Sequence, residues 1–171
     1  MTRVSELESL KKWFAYNARA RKNYLETMSK LSPEELTRNR GASYPTILDI
    51  FKHSFDGLST WINKMSVLHD TFISPYSCPE PPSLSDLYRY NEEAEKEIDD
   101  FFSHLTEEDM DRTYLVKKLP PWWDEDFNAP VRDTLYHLVE HELQHRGELN
   151  ALLWQIDVEP PILDWLFDGL S

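Results

Sequence analysis

The chain has 171 residues, 40% of them hydrophobic, so we expect one folded domain over residues 1–171 with a substantial core. One cysteine and four glycines exclude a disulfide scaffold, a cysteine-rich zinc module and an iron–sulfur cluster, and argue against a glycine-rich phosphate loop. The formal net charge is −13, with 21 of the 31 acidic residues after residue 90, and this charge opposes nucleic-acid binding.

Four long helical patterns follow one another, with apolar residues recurring at three- and four-residue steps. Arg21 interrupts the apolar face of the first pattern. Ser32 to Glu35 predicts a short capped turn after it, and Ser83 to Asp86 predicts a capping box for the third helix. Asn128 to Pro130 predicts a cap for the fourth. The four predicted helices cover about 5–31, 46–67, 84–105 and 130–156.

Two long connections separate the later helices. Residues 68–82 are rich in proline, and residues 106–130 contain a short predicted strand at Tyr114 to Val116. At least one of these connections is expected to be a crossover, because a simple up-and-down bundle has short loops. The pattern therefore predicts an all-α fold, a four-helix bundle with long interhelix connections. The second connection also carries aromatic residues that either plug the end of the bundle or roof a binding pocket: Trp122, Trp123 and Phe127.

Three of the six histidines, His137, His141 and His145, follow one another at four-residue steps in the last predicted helix. An i, i+4 pair places two imidazoles about 6 Å apart on one helix face, which suits two ligands of one metal ion. The outer two are separated by about 12 Å of helix rise, which is too far for one ion. The pair is therefore either His137 with His141 or His141 with His145.

A helical wheel at about 100° per residue favours the second pair. His145 and His141 project toward the apolar face around Leu138, whereas His137 lies at its flank. His53 lies in the apolar stretch of the second predicted helix and can face the same interior. Three imidazoles from two helices would leave one coordination position of a metal ion open, as is typical of catalytic sites. Hydrogen-bonded core histidines without metal are the alternative interpretation.

Two other metal motifs match parts of the same helix. His137–His141 fits H-x-x-E-H, the signature of inverted zincin peptidases, but the wheel points Glu140 away from the core. Glu142–His145 fits the Glu-x-x-His of di-iron bundles, but no second such motif accompanies it in the sequence. Both motifs are therefore less favoured than the three-histidine site. His69 and His104, near predicted helix ends, are expected to be ordinary surface residues.

Several segments match those of a known family: LKKWFAYN at 10–17, LSPEEL at 31–36, SYPTILDIFKH at 43–53 and HLVEHELQHRGELNALLWQ at 137–155. Within the last, H-x-x-x-H-R-G-[EQ]-L is the most specific. In these segments the chain resembles the DinB/YfiT-like family of four-helix metalloenzymes. The resemblance covers nearly the whole chain, and residues 68–125 match least.

This resemblance implies a four-helix bundle that holds a divalent metal ion, nickel or zinc, and often forms homodimers. The family's metal triad falls on His53, His141 and His145, the trio that the wheel also favours, while His137 is not a ligand. Characterised relatives include thiol-dependent transferases that use low-molecular-weight thiols, and a mycothiol-dependent isomerase. The family name comes from DNA-damage induction and not from DNA binding, so a role in stress response is implied.

The most specific functional hypothesis is a metal-dependent S-transferase that acts on small electrophiles. The alternatives are a non-catalytic stress-response metal-binding or interaction protein, a metal-dependent hydrolase, and a bundle without metal. No general base is identifiable, although Glu148, Glu142 and Asn91 are candidates. Arg146 is expected to pair with an acidic neighbour.

The N-terminal residues lack the apolar segment of a signal peptide, and no run approaches the ~18 apolar residues of a membrane span. The lone Cys78 fits a reducing compartment. We therefore predict a cytoplasmic protein with a small-molecule substrate and without membrane or nucleic-acid partners. Because Cys78 lies in a proline-rich connection away from the three histidines in sequence, a thiol used in catalysis would have to arrive as a cosubstrate.

Overall fold

The computed structural model describes residues 4–69 and 77–166. Four long helices dominate these residues, which confirms the all-α prediction, and their bounds differ from the predicted ones by at most three residues. A short helix follows the first long one where the capped turn was predicted. The elements are α1 (Glu6–Met28), α2 (Pro33–Thr37), α3 (Ile47–Ser66), α4 (Leu84–His104), β1 (Thr113–Val116), β2 (Phe127–Pro130) and α5 (Val131–Trp154).

Side-chain caps define where two of the long helices begin. Thr46 and Asp49 form a capping box at the start of α3, in which each side chain bonds the backbone N–H of the other. Ser83 and Asp86 form the predicted box at the start of α4. The predicted cap of α5 is confirmed only in position: Pro130 is the N-cap residue, but it makes no side-chain hydrogen bond, and residues 128–130 also belong to β2.

Contacts along α1 give the directions of two neighbours. Tyr136 near the start of α5 donates to Glu6, and Tyr24 near the end of α1 donates to Asn150 in the second half of α5. These two helices therefore run parallel. Phe14 packs on Phe102, whereas Arg21 further along α1 donates to Asn91 at an earlier point of α4, so α4 runs antiparallel to α1.

The connection between α3 and α4 is the predicted crossover. Tyr90 donates to Asp56, and Ser59 one turn further along α3 donates to Glu97, which lies further along α4. The two helices therefore run parallel, and the chain between them has to return along the bundle. Residues 70–76 of this predicted connection lie outside the described residues.

An antiparallel hairpin fills the connection between α4 and α5. Tyr114 of β1 lies opposite Ala129 of β2, and the predicted strand at 114–116 is confirmed. Between the strands, Trp123 donates through Nε1 to the Lys117 carbonyl and stacks against Trp61 of α3. The hairpin therefore covers the α3–α5 surface near the C-terminal end of α3.

The centre of the bundle is apolar but contains a buried ion pair. Arg21 of α1 donates through Nη1 to both carboxylate oxygens of Glu142 of α5, at 2.9 and 2.8 Å, and through Nε to Asn91. The residue that interrupts the apolar face of the first helix therefore ties three helices together. Within the described residues, none of the helices is both long and apolar enough to cross a membrane.

Candidate metal centre

The structure brings together the three histidines that the sequence singles out. His53 projects from α3, and His141 and His145 project from α5, which runs antiparallel to it. The Nε2 atom of His141 lies 3.3 Å from Nε2 of His53 and 3.3 Å from Nε2 of His145. One ligand atom of each residue lies within 4.8 Å of the other two. Three imidazole nitrogens therefore converge on one small volume.

The spacing of these nitrogens fits a tetrahedral metal ion. Zinc binds imidazole at about 2.0–2.1 Å, and tetrahedral angles then place two ligand nitrogens about 3.3 Å apart. Imidazole is a good ligand for zinc, nickel, copper and iron. This group of residues could therefore hold a divalent metal ion.

The ionisation of the ring nitrogens also suits metal binding, because a metal ligand must be a neutral imidazole. Burial, assisted by the neighbouring His145 and His53, lowers the pKa of His141 to about 4. Burial and His145 also lower the pKa of His53. Neither ring has to lose a proton at neutral pH before it can bind a cation.

A glycine lets α3 approach the centre closely. A Cβ on Gly57, one turn after His53, would lie 2.7 Å from Cε1 and 3.2 Å from Nδ1 of His141. Real Cβ atoms essentially never come that close to another heavy atom, so the imidazole occupies space that only glycine leaves free. Sequence reasoning missed this role. The signal that could have found it is a lone glycine four residues after a predicted ligand.

The loop before α3 covers the centre from outside. The Tyr44 ring stacks on His53 at a centroid distance of 4.2 Å and meets His145 edge-on at 6.4 Å. Next to it, the backbone N–H and the hydroxyl of Ser43 donate to the carboxylate of Glu148, which contacts the His145 ring. Because residue 43 and residue 148 are far apart in sequence, sequence reasoning missed this loop.

The other histidines do not join the trio. The exposed His137 lies one turn before His141 and packs edge-on against Trp61 at 6.0 Å. His104 is exposed, as predicted, whereas His69 is only partly exposed, and its Nε2 lies 3.4 Å from the carboxylate of Asp109.

The three candidates for a general base have different surroundings in the structure. Glu142 is buried in the ion pair with Arg21, and Asn91 bonds to Arg21 and Glu95, so both have structural partners. Glu148 remains next to the centre. Hydrogen bonds from Ser43 lower its pKa although partial burial acts to raise it.

Among the described residues, Arg146 makes none of the ion pairs that the sequence led us to expect. The guanidinium is buried and lies over the Tyr16 ring, 4.9 Å from its centroid. Neither Nη atom has a hydrogen-bond partner among the described residues. Arg146 is therefore held by the face of an aromatic ring, as cations often are.

One cavity reaches the centre, and a second lies one helical turn away from it along α5. One of about 400 Å³ is lined by His53 itself, together with Tyr44, Lys52 and prolines of the crossover. The other, of about 350 Å³, lies along the α3–α5 groove and is lined by Trp61, Phe127 and His137. Of the hairpin aromatic residues, Phe127 lines the second cavity, and Trp122 is 71% exposed.

The fold is a four-helix bundle with a crossover after its second long helix, and a cluster of three imidazoles lies between two antiparallel helices. Together these features define a class of helical proteins with a candidate metal site. The chain belongs to the DinB family, whose sequence model matches residues 5–169. This result agrees with the resemblance drawn from the sequence.

Individual relatives agree with this assignment. The chain is 26% identical over 152 residues to the uncharacterized protein YizA of Bacillus subtilis strain 168, covering 87% of this chain and 89% of that protein. A DinB-like protein from Bacillus cereus ATCC 10987 has a similar fold, with a TM-score of 0.66, 14% identity, and coverage of 92% of this chain and 97% of that one. The DinB-like protein YjoA of Bacillus subtilis has a TM-score of 0.60 and 18% identity, with coverage of 90% and 98%.

Proposed function

We propose that this protein is a metal-dependent thiol S-transferase, in which the sulfur of a small thiol attacks a small electrophile, forms a new bond to it and releases the thiol proton. His53, His141 and His145 would hold the metal ion, nickel or zinc. The observation that carries the proposal is the 3.3 Å spacing of their Nε2 atoms. Three protein ligands leave a fourth position open for an exogenous group. A bound divalent ion lowers the pKa of a coordinated thiol, so that the reactive thiolate is present at neutral pH.

The chain's own residues supply the surroundings of this chemistry. The two imidazoles of lowered pKa are neutral at physiological pH and ready to bind a cation. The stacked Tyr44 ring shields His53 from water on one side. The apolar cavity beside Trp61 and His137, whose ring lies 5.8 Å from that of His141, offers a place for the hydrocarbon part of an electrophile. These features support a substrate site beside the metal.

The reacting thiol has to come from a cosubstrate. Cys78 is buried, and burial raises its pKa to about 11, so that it is a poor nucleophile at neutral pH. It lies outside the group of potential metal ligands. A low-molecular-weight thiol is therefore the substrate class that the proposal requires.

Metal content of purified variants tests the site. We expect the wild type to retain about one equivalent of zinc or nickel by elemental mass spectrometry, since the three nitrogens form one site. His53→Ala, His141→Ala and His145→Ala should each lose it. His137→Ala is the matched control on the same helix and should keep it. Metal retained by His145→Ala and lost by His137→Ala would contradict the assignment.

Catalysis is tested with a panel of low-molecular-weight thiols and small electrophiles, using the metal-loaded wild type and metal-free His141→Ala. We expect conjugation by the wild type alone. If the protein binds metal stoichiometrically but turns over none of the pairs, a non-catalytic metal-binding role replaces the transferase. Ester or amide hydrolysis without thiol would favour the hydrolase instead. The homodimer implied by the resemblance stays a prediction, which light scattering tests.

A further inference from the structure

Ser43, from the loop before α3, and Glu148, one turn after His145 on α5, form a continuous set of contacts with the His145 ring. The backbone N–H of Ser43 donates to Oε1 of Glu148 at 2.7 Å, and the Ser43 hydroxyl donates to Oε2 at 2.6 Å. The same Oε2 lies 3.3 Å from Nδ1 of His145. Both carboxylate oxygens of Glu148 are therefore occupied, and the side chain is held in one orientation.

The chemistry of this contact selects one form of the imidazole. A carboxylate can only accept hydrogen bonds, so the nitrogen that faces it must carry the proton. With the proton on Nδ1, Nε2 of His145 has a free lone pair that points to Nε2 of His141, 3.3 Å away. The other neutral tautomer would place a hydrogen among the three converging nitrogens and leave Glu148 facing a lone pair.

His141 shows what the centre is like without such a partner. Its Nδ1 is buried and makes no hydrogen bond within the part of the chain that the structure describes. Its position is set by packing against Gly57 instead. The contact with Glu148 therefore distinguishes His145 from His141.

We propose that Glu148, oriented by Ser43, is a positioning residue that fixes His145 in its Nδ1–H tautomer and thereby presents Nε2 to the metal ion. As far as it concerns the metal, the proposal rests on the proposed function. A carboxylate behind a ligating histidine fixes both the tautomer and the ring orientation, and loss of such a partner typically weakens metal binding by about 10–100-fold. The hydrogen bonds between Ser43 and Glu148 also join the loop before α3 to α5.

The tautomer is measured first, in the metal-free protein, by two-bond proton–nitrogen correlation spectra of the imidazoles at alkaline pH. We expect the His145 signals, identified by their absence in His145→Ala, to show a proton on Nδ1 in the wild type. Glu148→Ala should shift the population toward Nε2–H. If the hydrogen bonds between Ser43 and Glu148 only held the loop against the helix, their loss would not change the tautomer equilibrium of His145. A wild-type His145 with its proton on Nε2 would overturn the proposal.

Zinc affinity is measured next, by competition with a chelator. Glu148→Ala should bind zinc about 10–100-fold more weakly, and Ser43→Ala should show a smaller loss because the backbone N–H still holds the carboxylate. Glu140→Ala removes an exposed glutamate from the same helix and should bind like the wild type. Circular dichroism checks that each variant is folded. If Glu148→Ala does not fold, the zinc affinity of Ser43→Ala still tests the proposal.

Equal zinc affinity of the Glu148→Ala and Glu140→Ala variants would overturn the proposal. Absence of zinc binding by the wild type would overturn the proposed function. The tautomer measurement uses no metal, so it still decides whether Glu148 sets the state of His145. The two failures are therefore distinguishable.

Discussion

Gly57 and His141 meet across the α3–α5 interface with no space for one more carbon atom. We predict that Gly57→Ala displaces the imidazole and weakens zinc binding. Overpacking of this kind costs about 1–3 kcal/mol, and a loss of that size falling on metal binding corresponds to about 5- to 150-fold in affinity. Chelator competition measures the affinity.

Gly147 provides the matched control for this change. A Cβ at that position meets nothing within 4 Å, although the residue lies on α5 between His145 and Glu148. Gly147→Ala should leave zinc affinity unchanged and stabilise the protein by about 0.5–1 kcal/mol through helix propensity. If both alanine variants bind zinc like the wild type, the close approach at Gly57 has no bearing on the site.

Asp109 makes stability depend on pH. Burial acts to raise its pKa, but hydrogen bonds from Thr106 and Arg112, with His69 nearby, lower it below the ordinary value. The folded state therefore favours the carboxylate. The resulting stability is present above the unfolded pKa of about 4 and is lost as the pH falls through the lower folded pKa.

Urea unfolding of the wild type and of Asp109→Asn at several pH values measures this effect. We expect the variant to be less stable by about 1–3 kcal/mol at neutral pH, since charged hydrogen bonds are lost. The difference should shrink as the pH falls below about 4. A difference that stays constant across that range would show that the carboxylate charge does not contribute.

At the scale of helices, the Arg21–Glu142 pair holds α1 against α5 inside the bundle, with both side chains less than 5% exposed. Removing one partner of such a pair leaves a buried charge without compensation, which costs about 3–5 kcal/mol. We predict a loss of this size for Arg21→Met. The double variant Arg21→Met with Glu142→Met should lose less than the two single variants together, because no charge is left unpaired.

Equilibrium urea unfolding gives all three free energies of unfolding. Strict additivity of the two single changes would contradict a direct interaction. The exposed Arg38, paired with Glu34 on α2, offers a control. Arg38→Met should change stability by less than about 1 kcal/mol, as surface pairs do.

The helices were predictable because their signals are local. Periodic apolar residues and the Ser83 capping box depend on residues three or four positions apart. The same is true of His141 and His145, whose spacing identifies them as one face of a helix. The identity of the third histidine also followed from the amphipathic face of α3, with support from the family resemblance.

The interactions that sequence reasoning missed depend on partners far along the chain. Arg21 looks like an interruption of an apolar face until Glu142, 121 positions away, is placed opposite it. The hydrogen bonds from Ser43 to Glu148 join residues that are 105 positions apart. Strand β2 escaped prediction because Asn128 and Pro130 resemble a helix cap, and only pairing with β1 shows their role.

At the scale of the whole molecule, the bundle brings α3 and α5 together as antiparallel neighbours, and both carry ligands of the candidate centre. Metal binding should therefore stabilise the folded chain as a unit. At a free zinc concentration of 100 times Kd, binding contributes about 2.7 kcal/mol. For a protein of this size we expect Tm to rise by about 5–10 °C.

Differential scanning calorimetry with and without zinc measures this rise. His141→Ala should show no rise, and His137→Ala should behave like the wild type. An equal rise in His141→Ala would place the stabilising ion elsewhere on this acidic surface.

X-ray absorption at the zinc edge of the zinc-loaded wild type is the most direct test of the three-histidine site, because it reports the atoms bound to the metal. We predict three imidazole nitrogens at about 2.0–2.1 Å and one further light atom in the open position. A sulfur scatterer at about 2.3 Å in the absence of added thiol would place Cys78 on the metal. That result, or a shell without imidazole, would contradict a centre built from His53, His141 and His145.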